Sequence, residues 1–525
     1  MNIISSIISK AYHSKLLRNM VLLLFVTIIM AVYLRGIPGN PTEAQLNLPI
    51  WRDDGPFELS PERGRYALMY SWFENDTFSY TVSLARFVLP DVGYRNGQFV
   101  SLFAPGVSFV AAPGYLIGKE FQLAQVGSFA VIALFAIANF FLIKSIAIRM
   151  KASESAAIIA GVIFLFATPA FAYGVSLYQH HISTFLLLLS IYVLLRWNNF
   201  WSLAVLWFLA GVSIPIDNPN FFMMLPLGVY GLGRIIRLKA EKNKIKVNIM
   251  LYRVLTLLTM AIPLGLFMWF NQISNGSPFQ LSGGVQRVSG IDSVGRPMSA
   301  STQKLYSEEE LEKSQNLGEF FYTRNMIIGV YEHYSSLDRG MIIYTPVMFY
   351  GFWALYIAYR NKTSMFAVLT GVMAMNMLLY AMWGDPYGGW AFGTRYLIPS
   401  YAIIAIFISI LLTHYRKHTL FLVAFGIIAS YSILINSLGA LTSSKNPPQK
   451  EISYLESVTK KREHFTYERN IEYLNSGIVK SFVYTSYAYE YFTPRQYYLL
   501  LTFILSGFFG FWVIYLRSFG KAYEK

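Results

Sequence analysis

The chain has 525 residues, of which 55% are hydrophobic and 17% aromatic, and its formal net charge is +15. Only 14% of the residues are charged, against about 25% in soluble domains, so an ordinary soluble protein is excluded. The chain contains no cysteine, which also excludes disulfides, thiolate metal sites and cysteine nucleophiles.

The hydrophobic residues form long segments, which predict an all-α polytopic membrane protein. Several runs approach or reach the ~20 apolar residues that cross hydrocarbon, whereas a transmembrane barrel would show short alternating segments. Residues 105–118 are too few and too rich in Pro and Gly to cross, so we predict a helix at the outer interface there. We predict about twelve transmembrane helices, at residues 19–35, 124–147, 153–173, 181–196, 199–214, 219–234, 250–271, 341–359, 364–382, 397–414, 419–437 and 497–516.

The positive charge follows topology and does not indicate nucleic-acid binding. Lys and Arg cluster after every second predicted span, for example at residues 144–151, 234–246 and 416–417. Such clusters mark cytoplasmic loops. We therefore predict that both termini are cytoplasmic, in the plasma membrane if the protein is prokaryotic, and we expect no nucleic-acid partner.

This topology leaves four sizeable loops outside, at residues 36–123, 272–340, 383–396 and 438–496. We predict a main transmembrane region at 1–437, an extracytoplasmic loop region at 438–496, and the last helix with a cytoplasmic tail at 497–525. In the second loop, Ser307 and Glu310 fit a capping box at the start of an acidic amphipathic helix over 307–321.

The first loop carries the strongest candidate residue, Glu62, next to Pro61 at a predicted helix start. Tyr66 and Phe73 share the apolar face of that helix, so we predict an amphipathic helix lying on the membrane with a carboxylate at its beginning. The alternative is a structural glutamate stabilised by the positive end of the helix dipole.

Three motifs follow one another in this loop: Pro61-Glu-x-x-Arg-Tyr-Ala67, Tyr94-x-Asn-Gly-x-Phe99 and Phe103-Ala-Pro-Gly106. Their order resembles the first outer loop of GT-C superfamily glycosyltransferases, above all the branch of protein O-mannosyltransferases and the lipid A aminoarabinose transferase. That branch reads Asp-Glu-x-Arg-Tyr-Ala, Asn-Gly and Lys-Pro-Pro. Here Pro61 replaces the Asp, one extra residue precedes Arg65, and the lysine that contacts the donor phosphate is absent. The resemblance covers residues 15–235, with weaker similarity to about 415.

The resemblance implies a GT-C-like fold and a sugar donor linked to a polyprenyl (dolichyl or undecaprenyl) phosphate. Glu62 matches the family's acidic catalytic or metal-contacting residue, although Asp53, Asp54 or Glu58 could take that place in space. Whether a divalent metal ion is required stays open, because the branch differs on this point.

Two further candidates lie near the outer ends of spans. His181 stands where the family places a carboxylate, but an interfacial histidine also serves as a simple hydrogen-bonding residue. Asp217 is an ionisable group near membrane depth, which suggests a functional role, although it could equally cap the following helix.

Arg339 and Arg395 each precede a span on the outside, where the positive-inside rule gives no reason for a positive charge. The resemblance connects such arginines with the lipid phosphate, which a guanidinium group binds through two parallel hydrogen bonds. The alternative is snorkelling to lipid headgroups.

Asp385 lies near Tyr387 and Trp390 in the sequence. Aromatic and acidic residues together suit the binding of a sugar, but an aromatic belt at the membrane interface would show the same pattern.

These features favour an enzyme that moves a sugar from the lipid-linked donor to a lipid, glycan or protein acceptor at the outer face, with membrane lipids as its surroundings. Glu62 would be the base or a metal-assisted positioning residue, Arg395 and then Arg339 would bind phosphate, and Tyr66, His181, Asp217 and Asp385 would line the pocket. The main alternative is a transporter or flippase of a lipid-linked or small anionic substrate, which should show internal repeats. A second is a non-catalytic assembly partner.

Overall fold

The structure is a computed structural model that describes residues 15–241, 244–313 and 320–519. Six helices in this part of the chain are long and apolar enough to cross a membrane: Leu16–Tyr33, Ala124–Arg149, Leu251–Asn275, Arg395–His414, Thr419–Leu441 and Pro494–Ser518. Four shorter apolar helices accompany them: Glu154–Phe166, His180–Arg196, Phe200–Ile216 and Phe366–Ala381. The prediction of a helical polytopic protein is confirmed.

Two further helical segments bring these ten helices close to the predicted number of about twelve in the described part of the chain. One is Asn220–Ile235, and the other consists of Met341–Tyr344, Pro346–Phe349 and Tyr350–Arg360, with a break at Pro346. The predicted helix 153–173 is likewise divided, into Glu154–Phe166 and Ala170–Gly174, on either side of Pro169. Proline has no backbone N–H to donate, so helices tend to break where it occurs.

The two ends of the bundle differ. At one end, here called the turn side, the connections are short, at residues 150–153, 197–199, 361–365 and 415–418. Ion pairs join three helices there: Glu154 lies 2.6 Å from Arg18 and 3.2 Å from Lys144. The opposite end, here called the loop side, carries the long connections and the candidate site.

The helix Gly106–Glu120 follows the predicted segment 105–118 and stays on the loop side. A Cβ atom at Gly118 would lie 2.4 Å from the carbonyl oxygen of Leu123, just before the helix Ala124–Arg149 begins. A Cβ atom at Gly106 would lie 2.5 Å from the carbonyl oxygen of Pro215, where the helix Phe200–Ile216 ends. Both ends therefore contact loop-side helix ends. Fifteen residues span about 22 Å, less than the ~30 Å of a hydrocarbon core.

The remaining helices belong to the loop side. They are Glu43–Leu46, Ser60–Glu74, Val82–Val88, Ser282–Gly284, Glu308–Glu312, Thr323–Asn325, Met326–Tyr334, Gln449–Glu451, Ile452–Thr459, Glu468–Asn475 and Tyr484–Ala488. The acidic helix predicted over 307–321 is shorter, because it ends at Glu312, but Ser307 and Glu310 form the predicted capping box. Residues 314–319 of that prediction lie outside the described residues.

Within residues 15–241, 244–313 and 320–519, seven short strands form three small antiparallel sheets, which the sequence analysis did not predict. Val92–Arg95 lies between Gln98–Ser101 and Gln286–Val288 on the loop side. The other pairs are Ile236–Glu241 with Lys244–Ile249, and Gly290–Ile291 with Pro297–Met298. In the first hairpin, Asn96 and Gly97 both have positive φ, at 50° and 76°. An Asn-Gly pair is a strong hairpin signal, and it was available in the sequence.

Candidate active site

The site begins with the helix Ser60–Glu74, which has Pro61 in its first turn as predicted. Its surroundings differ from the predicted ones. Glu62, Arg63, Arg65, Leu68 and Met69 are all buried, so both the polar and the apolar face pack inside the protein. The amphipathic pattern therefore reflects two kinds of protein contact, and the predicted position on the membrane surface is wrong.

Glu58, just before this helix, is paired with two cations in the interior. Its carboxylate lies 2.7 Å from Arg35 and 2.8 Å from Lys480, and it accepts a 2.8 Å hydrogen bond from the backbone N–H of Ser444. Burial alone would raise the pKa of Glu58, but the charges of Lys480 and Arg35 outweigh it and hold the pKa at about 2. Glu58 is therefore a permanent anion at neutral pH.

Glu62 is buried without such a partner. Its side chain is 0% exposed, Oε2 accepts a 3.2 Å hydrogen bond from the backbone N–H of Leu59, and Oε1 has no hydrogen-bond partner. Burial, with the negative charge of Glu58, raises the pKa of Glu62 to about 7. A carboxylate with this pKa exchanges its proton near neutral pH, as a general base must.

Arg65, on the same helix, meets Arg395 at one aromatic ring. The guanidinium carbons of Arg65 and Arg395 lie 5.5 and 5.4 Å from the centroid of Tyr178. Burial and the negative charge of Glu62 raise the pKa of Tyr178 well above its usual value. Glu62 lies three residues before Arg65 on the helix Ser60–Glu74, and residues at this spacing share a helix face. Two arginines therefore meet at Tyr178, with the carboxyl group of Glu62 one helical turn from Arg65.

Polar backbone and side-chain groups hold the two arginines in place. Arg65 donates to the carbonyl of Leu177 at 3.1 Å and to Gln179 Oε1 at 2.6 Å, and Arg395 donates to the carbonyl of Gly388 at 2.9 Å. Within the described residues, neither arginine forms an ion pair with a carboxylate, and the Nε–H of each has no acceptor. Buried N–H groups without an acceptor are costly, and an incoming anion would satisfy them.

Asp217 joins this cluster through one side chain. Its Oδ2 accepts a 3.2 Å hydrogen bond from Gln179 Nε2, and Gln179 in turn accepts from Arg65. The carboxylate is therefore one residue removed from the arginine. Its role as a pocket residue stays a prediction, but the structure places it at the site.

The two adjacent histidines have different surroundings. His181 lies in the helix core, where its Nε2 is 2.7 Å from the carbonyl oxygen of Ala170 and its own carbonyl accepts from Asn139. His180 stacks on Tyr178, with ring centroids 5.9 Å apart, and its buried Nε2 has no partner. The histidine beside the arginines is thus His180, and the predicted role of His181 gains no support from its position.

Arg339 lies on the other side of the loop that Arg395 contacts. It is 1% exposed, donates to the carbonyl of Gly389 at 2.9 Å and lies 3.4 Å from Asp338. Asp385 supports the same loop, because its Oδ2 accepts from the backbone N–H of Gly389 at 2.8 Å. Gly388 and Gly389 therefore connect the two predicted phosphate-binding arginines.

The chain is similar to ArnT from Cupriavidus metallidurans. A crystal structure of ArnT in the apo state matches with a TM-score of 0.47 at 12% sequence identity, over 96% of this chain and 77% of the other. A second, bound to undecaprenyl phosphate, matches with a TM-score of 0.43 at 14% identity, over 93% and 77%. No family model matches the chain, and no curated protein matches it. At these identities and TM-scores, the likeness adds nothing to the chemistry, which follows from the residues themselves.

Tyr66 lies away from the arginines. Its ring packs between Phe57 and Tyr115, at centroid distances of 4.6 and 5.6 Å, and it is 1% exposed.

The described residues contain no group of three or more His, Cys, Asp or Glu side chains that could hold a metal ion.

Sequence reasoning missed several residues of the site. The sequence analysis includes Arg65 only as part of the loop motif, and it does not include Tyr178, Gln179 or His180. The missed signal is the run Tyr178-Gln-His-His181 itself, since four consecutive side chains able to form hydrogen bonds stand at the start of an otherwise apolar helix. Lys480 gave no local signal, because it lies in the last loop.

Proposed function

We propose that this protein is a membrane glycosyltransferase of GT-C type that moves a sugar from a polyprenyl phosphate to an acceptor at the outer face. The observation that carries the proposal is the meeting of Arg65 and Arg395 at Tyr178, with Glu62 one helical turn from Arg65. It supplies cations for a phosphate and a titratable carboxyl group for a hydroxyl in one buried place.

The two arginines fit the phosphate of the donor. Each has an unused N–H donor, and neither is neutralised by a carboxylate in the described part of the chain. A guanidinium–phosphate pair is charge-assisted and often bidentate. As the bond between the sugar and the phosphate breaks, negative charge grows on the phosphate oxygens, and the fixed positive charges stabilise it.

Glu62 is suited to act as the base that removes the proton from the acceptor hydroxyl. In its ionised form it takes the proton from the acceptor hydroxyl while the new bond from that oxygen to the sugar forms. Polyprenyl phosphate leaves as an anion, so no general acid is required. The pKa of about 7 makes ionisation of Glu62 accessible at neutral pH without making its conjugate acid too strong.

The charge pattern supports this orientation. The turn side carries the Lys and Arg clusters between spans, which favours a cytoplasmic turn side and cytoplasmic termini. The loop side, with the candidate site, then faces outwards, at the plasma membrane if the protein is prokaryotic. A lipid-linked donor is available on that face without a nucleotide sugar.

The test is transfer by the purified protein in vesicles that contain a radiolabelled polyprenyl-phosphate sugar. We expect label to leave the lipid for an acceptor, and Glu62→Gln to slow this transfer about 10²–10⁴-fold. The assay uses several labelled donors and a membrane extract as the source of the acceptor. Movement of intact labelled lipid between leaflets, with no transfer, would favour the transporter instead.

A further inference from the structure

A groove of about 640 Å³ runs between the helices Thr419–Leu441 and Pro494–Phe519. It begins on the turn side, where Thr419 and Arg517 line it, and extends towards the loop side as far as Leu434. Fifteen helical residues separate Thr419 from Leu434, a length of about 22 Å. The walls are mostly apolar and include Leu422, Val423, Ile427, Phe509, Val513 and Ile514.

Two glycines line this groove, one from each helix. A Cβ atom at Gly426 or at Gly510 would meet no atom within 4 Å, and neither residue has a positive φ. Their backbone conformation and their packing therefore do not require glycine, which lowers helix stability. What the two glycines provide is an open recess.

The groove opens to the surface that the bundle presents to lipid. Several of its side chains are largely exposed, including Val423 at 53%, Ile427 at 67% and Ile514 at 69%. These residues lie within helices that are long and apolar enough to cross a membrane. A hydrocarbon chain fits this environment, whereas water does not.

The charge at one end distinguishes a lipid from a second copy of the protein. In a symmetric pair, the same patch faces itself at the same membrane depth, so Arg517 would face Arg517. A phospholipid instead places a phosphate at the turn-side surface, next to Arg517, and its acyl chain along the apolar walls. Charge complementarity thus favours the lipid.

We propose that this groove is a binding site for one anionic glycerophospholipid of the turn-side leaflet. Its phosphate binds Arg517 and Thr419, and one acyl chain lies over Gly426 and Gly510. The site lies between the last two spanning helices and does not depend on the proposed transferase activity.

The test measures lipid binding to the purified full-length protein in detergent by native mass spectrometry, with dioleoyl phosphatidylglycerol and dioleoyl phosphatidylcholine as probes. We expect one tightly held phosphatidylglycerol on the wild type. Arg517→Ala should weaken it about fivefold, the effect of one basic residue near a charged headgroup. Phosphatidylcholine, which has no net charge, should bind the wild type more weakly. The double variant Gly426→Leu and Gly510→Leu should lose the tightly held phosphatidylglycerol, because the leucines fill the recess.

Gly265→Leu is the matched control, since Gly265 also has open space around its Cβ position but lies on another lipid-facing helix. It should bind phosphatidylglycerol as the wild type does. Leucine favours helix over glycine, so the variants should fold, and an unchanged melting temperature checks this. Equal affinity in the double variant and in Gly265→Leu would overturn the proposal. So would a wild-type dimer that the double variant converts to monomers.

Discussion

Glu58 and Glu62 lie one helical turn apart in sequence and are both buried, but only Glu58 is neutralised by cations. Arg35 and Lys480 lie 2.7 and 2.8 Å from Glu58, whereas Oε1 of Glu62 has no partner. The two carboxyl groups consequently have pKa values of about 2 and about 7. Because the two pKa values differ in this way, Glu58 carries a fixed negative charge at neutral pH, whereas Glu62 can exchange a proton.

The first prediction concerns the pH dependence of transfer. If ionised Glu62 is the base, the rate should rise with pH up to about 7 and level off above it. Glu62→Gln should lower the rate about 10²–10⁴-fold and remove this rise. Glu74→Gln is the control, because Glu74 lies on the same helix but pairs with Lys119 near the surface, at 2.6 Å. Near-normal transfer by Glu62→Gln at equal expression would shift the role to Asp53 or Asp54.

Ionisation of Glu62 also affects the stability of the folded protein. As the pH rises, ionisation should increase the transfer rate but decrease the stability. The folded protein raises the pKa of Glu62 from its usual 4.5 to about 7, so it favours the protonated form. The stabilising contribution is complete below pH 4.5 and is lost as the pH rises through 7. The melting temperature of Glu62→Gln relative to the wild type should therefore increase between pH 5 and pH 8. A constant difference would mean that Glu62 titrates normally.

Lys480, which lies in the last loop, should influence the pKa of Glu62. Its positive charge lowers the pKa of Glu62, while the negative charge of Glu58 raises it. Lys480→Met should thus move the acid side of the rate profile to higher pH, and Glu58→Gln should move it to lower pH. Each variant leaves buried charge unbalanced, which costs about 3–5 kcal/mol, so both are measured well below their melting temperatures. Lys445→Met, which breaks an exposed pair with Asp53 at 3.0 Å, should leave the profile in place.

Binding of the donor should require the planar guanidinium group of Arg395. Arg395→Lys keeps the charge but loses two-pronged pairing, so the KM for the donor should rise, and Arg395→Ala should raise it further. Arg324→Lys is the control: Arg324 also stacks on an aromatic ring, at 5.3 Å from Tyr322, but it is exposed. Transfer rates against donor concentration measure the effect. Wild-type kinetics in Arg395→Lys would return Arg395 to lipid-headgroup snorkelling.

Topology can be tested by cysteine labelling, which is clean because the chain has no native cysteine. Single cysteines at the exposed positions Asn96 and Glu120 should both react with an impermeant reagent from outside intact cells. A cysteine at Lys151, on the turn side, should react only after the cells are opened. Protection of position 120 alone would mean that the helix Gly106–Glu120 crosses the membrane.

The helices were predictable because hydrophobic length is a local property of the chain. The predicted helix 124–147 is found at Ala124–Arg149, and 397–414 is found at Ile398–His414. The pairing of Glu58 with Lys480 was not predictable, because no local pattern marks a contact between distant loops. Burial of the helix Ser60–Glu74 was missed for a related reason. Charged residues on one helix face predict that this face is exposed, and only the structure shows the buried groups with which they pair.

The pairing of the first and last loops also has a consequence for biogenesis. Lys480 contacts the carbonyl oxygen of Gly55, 425 residues earlier in the chain, as well as Glu58. At about 5–20 residues per second, translation takes roughly 20 to 80 s to pass from one to the other. During that time Glu58 lacks one of its two cations, and the neighbourhood of Glu62 is incomplete. The nascent chain therefore cannot assemble this carboxylate pair until its final loop has emerged, and a chain truncated before that loop would span the membrane without a finished site.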